Sequence, residues 1–292
     1  MKHYTSYICG GLGNQMFQYA AGRALSLQYS VPLYLDIHWF HQEHKTTAPR
    51  TFHLSIFKQL QSTVSHVLDT PPSLYFRTLK KLGKIIPLSS IIQEPQFAYW
   101  HKFPLIKPSS TLIGYWQSEK YFINFQKEIR NDFIFPSFQN EQVQTIARQI
   151  KCTQNTISLH IRRGDYINNQ EVKSIFGNLQ NSYYTNALNY INSRIGEINI
   201  FVFSDDPLWA AHFFNNYGHK YTIIDLKYPD KPYYDMYLMS LCQHHIIANS
   251  SFSWWGAWLG EKPGITIAPQ KWFAKKSFDE YKDIYCNSWI IL

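Results

Sequence analysis

The chain has 292 residues, 45% of them hydrophobic, which suits one large domain or two of ordinary size with a sizeable core. Its net charge of +8 favours anionic partners, but no zinc-finger spacing, RNA-binding signature or long Lys/Arg tract accompanies it, so nucleic acid is not expected. No run of 18 apolar residues exists, so no membrane-spanning helix is expected either.

Tyr4–Cys9 reads as a short apolar strand, which leaves no room for a signal peptide. Gly10-Gly11-Leu12-Gly13 is a tight turn. From Asn14 to about Tyr29, Met16, Phe17, Ala20, Ala24 and Leu27 recur at helical spacing. Pro32 opens a second strand, Leu33–Asp36. This β-loop-α-β unit is the building block of a parallel sheet. The glycine turn is a broken dinucleotide fingerprint, because Met16 stands at the third glycine position. A nicotinamide oxidoreductase is therefore a weaker reading than a turn whose Gly11, Asn14 and Gln15 face a ligand.

From His38 to about Pro136 the pattern is irregular. Loops and short helices are expected, with one strand near Thr111–Tyr115. Arg77, Lys80, Lys81 and Lys84 fall at i, i+3, i+4, i+7, a basic amphipathic helix. Such a face is either solvated or a peripheral contact with an anionic membrane.

Beyond residue 150 a βα rhythm returns. Strands are expected at Thr156–Ile161, Asn199–Phe203, Tyr221–Ile224, Ile246–Ala248 and Ile265–Ala268. Helices are expected at Tyr183–Ile195, Pro207–Phe214, Tyr234–Cys242 and Trp254–Leu259. The expected domains are 1–150 and 151–292, joined near 136–150. Ligands in such folds bind at the carboxyl ends of strands.

Three strand ends carry chemistry. His160-Ile161-Arg162-Arg163-Gly164-Asp165-Tyr166 puts two arginines where a strand stops, and guanidinium forks match diphosphate oxygens. Fixed cations there stabilise a departing nucleotide diphosphate. An Arg–Asp ion pair closing a turn is the plainer alternative. Asn249-Ser250-Ser251-Phe252 enters a helix, whose N-terminus is an anion site or merely a serine-capped end. Ser204 and Asp205 end another strand and suit a ribose or base edge. Asp206 before Pro207 also reads as a helix cap. Asp235 opens a further helix with the same ambiguity. No Asp-x-Asp triplet offers a metal to a sugar nucleotide. His244 and His245 are adjacent rather than at ligand spacing and read as structural. The cysteines, Cys9, Cys152, Cys242 and Cys286, read as buried free thiols of a reducing compartment. Asn249-Ser250-Ser251 is formally a glycosylation sequon, but its place at a strand end argues against that use.

Five segments in order resemble the α-1,2-fucosyltransferases of glycosyltransferase family 11, the bacterial type of O-antigen and capsule pathways. They are Gly10 to Tyr19, His160 to Tyr166, Phe203 to Asp206, Asp235 to Ser240, and Asn249 to Leu259. The resemblance implies an α/β GT-B-like fold, two Rossmann-like domains facing across a cleft. The N-terminal domain would take the acceptor and the C-terminal one GDP-L-fucose. It implies inverting transfer to the 2-hydroxyl of a terminal β-galactoside, with no metal and no cofactor beyond the co-substrate. Arg162 or Arg163 would contact the diphosphate, with Ser250, Ser251 and Phe252 beside the phosphates and Asp235 at the nucleoside. Asn14 and Gln15 would face the donor sugar or acceptor. The general base is open among His160, Asp165 and Asp36. A transferase of different linkage or nucleotide, and a non-catalytic glycan- or nucleotide-binding protein, are the alternatives. A cytoplasmic enzyme is expected, with peripheral contact at the inner membrane face through Arg77, Lys80, Lys81 and Lys84 as the alternative to a solvated helix face.

Overall fold

The structure, a computed structural model, describes residues 2–42, 50–65, 90–164, 170–215 and 218–292. Its chain divides into two compact units, Met1–Pro136 and Ser137–Leu292.

The first unit is built on a five-stranded parallel sheet. Its strands are β1 (Tyr4–Tyr7), β2 (Leu33–Asp36), β3 (Thr63–Ser65), β4 (Ser90–Gln93) and β5 (Ser110–Ile113), in the order β3-β2-β1-β5-β4. The helix between the first two strands, α1 (Leu12–Tyr29), is buried on nearly every face, which explains its weak amphipathic pattern. Ser30, in the left-handed region at φ 53°, ends it. Strands β3 and β4 fall in the stretch expected to hold a single strand. They are short and half-exposed edge strands, with no apolar alternation to announce them. The short helix α2 (Gln126–Asp132) is tied to α1 through Asp132, which accepts from Tyr19 Oη at 2.7 Å and Arg23 Nε at 3.0 Å.

The second unit carries a six-stranded parallel sheet. Its strands are β6 (Thr156–Ile161), β7 (Asn199–Ser204), β8 (Lys220–Ile224), β9 (His244–Ile246), β10 (Thr266–Ala268) and β11 (Ile290–Ile291), ordered β11-β10-β9-β6-β7-β8. Every residue of β6 is buried, as expected of a central strand with both faces covered. The helices are α3 (Glu141–Cys152), α4 (Gln170–Phe176), α5 (Asn181–Ile195), α6 (Pro207–Phe214), α7 (Tyr233–Leu241) and α8 (Ser251–Trp258).

The boundary at Pro136 corrects the expected one at residue 150, and α3 is the reason. Asn140 caps it by accepting from Val143 N–H at 3.0 Å. Its buried Val143, Ala147 and Ile150 join Phe201, Phe203, Leu238 and Met239 in one core of the second unit. A cap of this kind contributes about 1 kcal/mol, and truncating Ile150 to Ala costs about 2–5 kcal/mol. The expected helix at Trp254 starts three residues earlier, because Ser250 is its cap. Cys152 is exposed at the end of α3, unlike the expected buried thiol, whereas Cys242 and Cys286 are buried. The basic stretch Arg77, Lys80, Lys81 and Lys84 lies outside the described residues. No helix among the described residues is long and apolar enough to cross a membrane.

Candidate functional site

In the second unit, β6 lies between β9 and β7, and all three run parallel. Their carboxyl ends therefore share one sheet edge, which brings together three segments far apart in sequence. Arg162 and Arg163 leave β6, Ser204 to Asp206 leave β7, and Asn249 to Phe252 link β9 to α8.

The acids beside the arginines hold them. Arg162 Nη1 lies 3.1 Å from Asp205 Oδ2, and the other oxygen of Asp205 accepts from Arg163 N–H at 2.8 Å. Arg163 Nε meets Asp206 Oδ2 at 3.4 Å, and its guanidinium sits 4.0 Å above the Trp209 ring. Asp206 Oδ1 caps α6 by accepting from Trp209 N–H at 3.1 Å, and Ser204 Oγ accepts from Asp206 N–H at 3.0 Å. Asp205 thus braces the arginine pair and is committed to it, rather than standing free for a ribose. Gly164 is required for the same reason: a Cβ there would come within 3.0 Å of Asp205 Oδ2. The close approach at this glycine is to a protein carboxylate. Asp165, one of the candidate general bases, lies outside the described residues.

His160 shares its strand face with Arg162 and is buried, its ring 5.7 Å from that of Phe252. Burial, and secondarily the Arg162 cation, push its pKa down to about 3. In this buried setting it is held neutral. Its Nδ1 has no hydrogen-bond partner among the described residues.

Ser250 Oγ accepts from Phe252 N–H at 3.3 Å, so the start of α8 is a capped helix N-terminus carrying Ser251 and Phe252. Asn249 is buried, and its Nδ2 donates to the carbonyls of Phe176 and Trp272 at 2.9 and 3.1 Å. Through Nδ2 its amide holds two neighbouring segments in place. Asp235, in the first turn of α7, keeps a fully shielded Oδ1 without a partner among the described residues. Burial, with the nearby Asp225 charge, raises its pKa to about 7. His245 Nδ1 and Ser158 Oγ share a hydrogen bond of 2.7 Å, and His244 Nδ1 accepts from Ile265 N–H at 3.0 Å. Both histidines are buried within the sheet.

In the first unit the glycine turn ends β1. Gly10, at φ +77°, is the position needing glycine, since a Cβ would meet Asn14 Nδ2 at 2.8 Å. Gly11 has ordinary φ and precedes α1 without a side-chain cap. Asn14 Oδ1 accepts from Gln117 Nε2 at 2.8 Å. Gln15, expected to face a ligand, is instead fully buried. Its Nε2 donates to the carbonyls of Gly10 and Thr51, each at 2.9 Å, and its Oε1 accepts from His53 N–H at 2.9 Å. Asp36, one candidate base, is also fully buried at the end of β2, where Oδ1 accepts from His38 N–H at 2.9 Å. It is closed off from any acceptor in this structure.

Sequence reasoning passed over Trp209 and Glu94. Trp209 stood in plain view three residues after Asp206, but an indole in a helix reads as core. Glu94 accepts from the N–H groups of Tyr115 and Trp116 at 2.7 and 3.1 Å, pinning the end of β4 to the chain leaving β5. No group of three or more His, Cys, Asp or Glu able to hold a metal occurs among the described residues.

Similarity to known proteins follows the same lines. The family model described as Glycosyl transferase family 11 matches residues 89–292. An Escherichia coli alpha-1,2-colitosyltransferase is 34% identical over 96% of this chain and 96% of its own length. The Escherichia coli O-antigen biosynthesis glycosyltransferase WbnK is 34% identical over 98% of this chain and 99% of its own. Among solved structures, NodZ alpha-1,6-fucosyltransferase soaked with GDP-fucose superposes with a TM-score of 0.53 at 12% identity, covering 88% of this chain and 92% of that one. At that identity the likeness concerns the fold, which is of the GT-B type with two parallel-sheet units. With this fold, a matched family model and relatives along nearly its whole length, the chain belongs to glycosyl transferase family 11.

Proposed function

We propose that this glycosyltransferase moves L-fucose from GDP-L-fucose to the 2-hydroxyl of a terminal β-galactoside, inverting the anomeric carbon without a metal. The observation that carries the reading is the arginine pair at the end of β6, each member held by an acid just beyond β7, on the sheet edge from which the chain also runs into α8. In the transfer the galactose 2-hydroxyl attacks the anomeric carbon opposite the diphosphate. The bond from that carbon to the phosphate oxygen breaks, GDP leaves with the electron pair, and the proton of the attacking hydroxyl passes to a general base. Guanidinium groups and helix N–H groups fixed beforehand stabilise the charge it gains. Ring cationic character grows at the same moment, as at other glycosidic centres. Asp235 is assigned to the nucleoside, and Ser251 and Phe252 to the phosphates. The first unit takes the acceptor. His160 and Asp36 are not assigned as general base, which leaves Asp165 as the candidate to test.

The 34% identical colitosyltransferase favours a second reading. Colitose is L-fucose without its 3-hydroxyl, so the two donors differ by one polar contact. A site built to hydrogen-bond that hydroxyl would reject the deoxy sugar strongly, and a site that ignores it would accept both.

Incubation with GDP-L-fucose and lactose, with and without EDTA, tests the proposal through linkage analysis of the product. Fucose on the galactose 2-hydroxyl, undiminished by EDTA, is expected. Fucose on another hydroxyl would refute the linkage, and activity abolished by EDTA the metal independence. Transfer only from the deoxy donor would favour the second reading.

A further inference from the structure

Arg163 is held unlike Arg162. Its ion pair with Asp206 uses Nε alone and is long, at 3.4 Å. The second support is the Trp209 ring, whose centroid lies 4.0 Å from its guanidinium carbon, well inside cation–π range. Among the described residues Nη1 and Nη2 of Arg163 make no hydrogen bond, and a quarter of the side chain is open to solvent. The indole itself is fixed twice. It stacks on Phe213 at 5.4 Å and 11°, and its backbone N–H is bound to Asp206 at 3.1 Å. Asp206 therefore caps α6 with one oxygen and touches Arg163 with the other, so helix start, indole and guanidinium form one rigid group.

A free arginine side chain has many rotamers, and freezing it on a phosphate costs conformational entropy. The geometry points to Trp209 as a positioning residue for Arg163. Its indole face holds the guanidinium flat while both Nη groups remain available to the oxygens of a nucleoside diphosphate. Trp209 acts through Arg163 and need not touch the donor. This inference rests on Arg163 being a diphosphate ligand, as proposed above.

Titration calorimetry with GDP tests it on the wild type, Trp209→Leu, Trp209→Phe, Arg163→Ala and the double variant Arg163→Ala/Trp209→Leu. Trp209→Leu should weaken GDP binding about 3- to 30-fold, the affinity equivalent of one cation–π contact. Trp209→Phe, which keeps a π face, should recover most of it. In the Arg163→Ala background Trp209→Leu should change affinity by less than about twofold, because nothing is left to position. An equal loss in both backgrounds would mean that Trp209 only supports the fold, and would overturn the inference. If Arg163→Ala binds GDP like the wild type, the diphosphate assignment fails and the inference with it. Should Trp209→Leu not fold, Trp209→Phe in both backgrounds carries the comparison. It should give a smaller loss that vanishes with Arg163→Ala, and a loss that persists there would overturn the inference equally.

Discussion

Arg162 and Asp205 form an ion pair of 3.1 Å between the carboxyl ends of two neighbouring parallel strands. The same carboxylate also receives the backbone N–H of Arg163. One acid thus sets the direction of the first arginine and the backbone path of the second. Exposed or half-exposed pairs contribute little to stability, about 0–1 kcal/mol. The consequence of losing Asp205 is therefore expected in donor binding rather than in folding.

Asp205→Ala should lower GDP affinity about 10-fold while the thermal midpoint falls by less than about 4 °C. Asp205→Asn, which retains an acceptor for the Arg163 N–H, should lie between. Calorimetry and a thermal melt on the same samples measure both quantities. A large drop in melting temperature with unchanged affinity per folded molecule would contradict this division.

Replacing either arginine by alanine should lower kcat/KM by about 10²-fold or more, the scale of removing one electrostatic contact to developing charge. Arg162→Lys should recover only part, since an ammonium keeps the charge but not the two-pronged geometry. Initial rates at varied donor concentration separate the effects. Wild-type transfer by both alanine variants would remove the diphosphate assignment.

Asp235 gives a pH signature. Its folded pKa of about 7 lies above the ordinary 3.8, because burial and Asp225 oppose the charged form. The folded state then holds the proton more tightly than the unfolded chain. This contribution to stability is complete below pH 3.8 and is lost as the pH rises through about 7. Asp235→Asn, which cannot ionise, should be more stable than the wild type at pH 8, by on the order of 1–4 kcal/mol. The difference should disappear near pH 4. Urea denaturation of the ligand-free protein across this range checks it, and a pH-independent difference would count against the shifted carboxyl.

Gln15→Ala strands two carbonyls and one N–H that the buried amide now satisfies. Each unsatisfied group costs about 1–3 kcal/mol. A stability loss of about 3 kcal/mol or more is expected, with activity falling only as the folded fraction falls. A stable variant with a specific catalytic defect would return Gln15 to the ligand side.

The sequence by itself determined the parallel α/β class, the strands that end at Asp36, Ile161 and Ala268, and the presence of two arginines at a strand's carboxyl end. These follow from local signals: apolar runs of strand length, glycine turns and helix-period stretches, all readable within a dozen residues. The half-exposed strands β3 and β4 escaped because no apolar alternation marks them, and α3 because its residues had been read as a linker. Only the tertiary structure decided which side chains remain available for chemistry. Gln15, Asp36 and Asn249 have the composition of a site and are buried inside the fold, Gln15 with its amide fully engaged. Asp205, Asp206 and Trp209, some 40 residues from the arginines in sequence, turn out to hold them. The reason is that strand order is not chain order. Placing β6 between β7 and β9 brings three distant segments onto one edge, and a hydrogen bond made across that edge leaves no trace in either segment's own pattern.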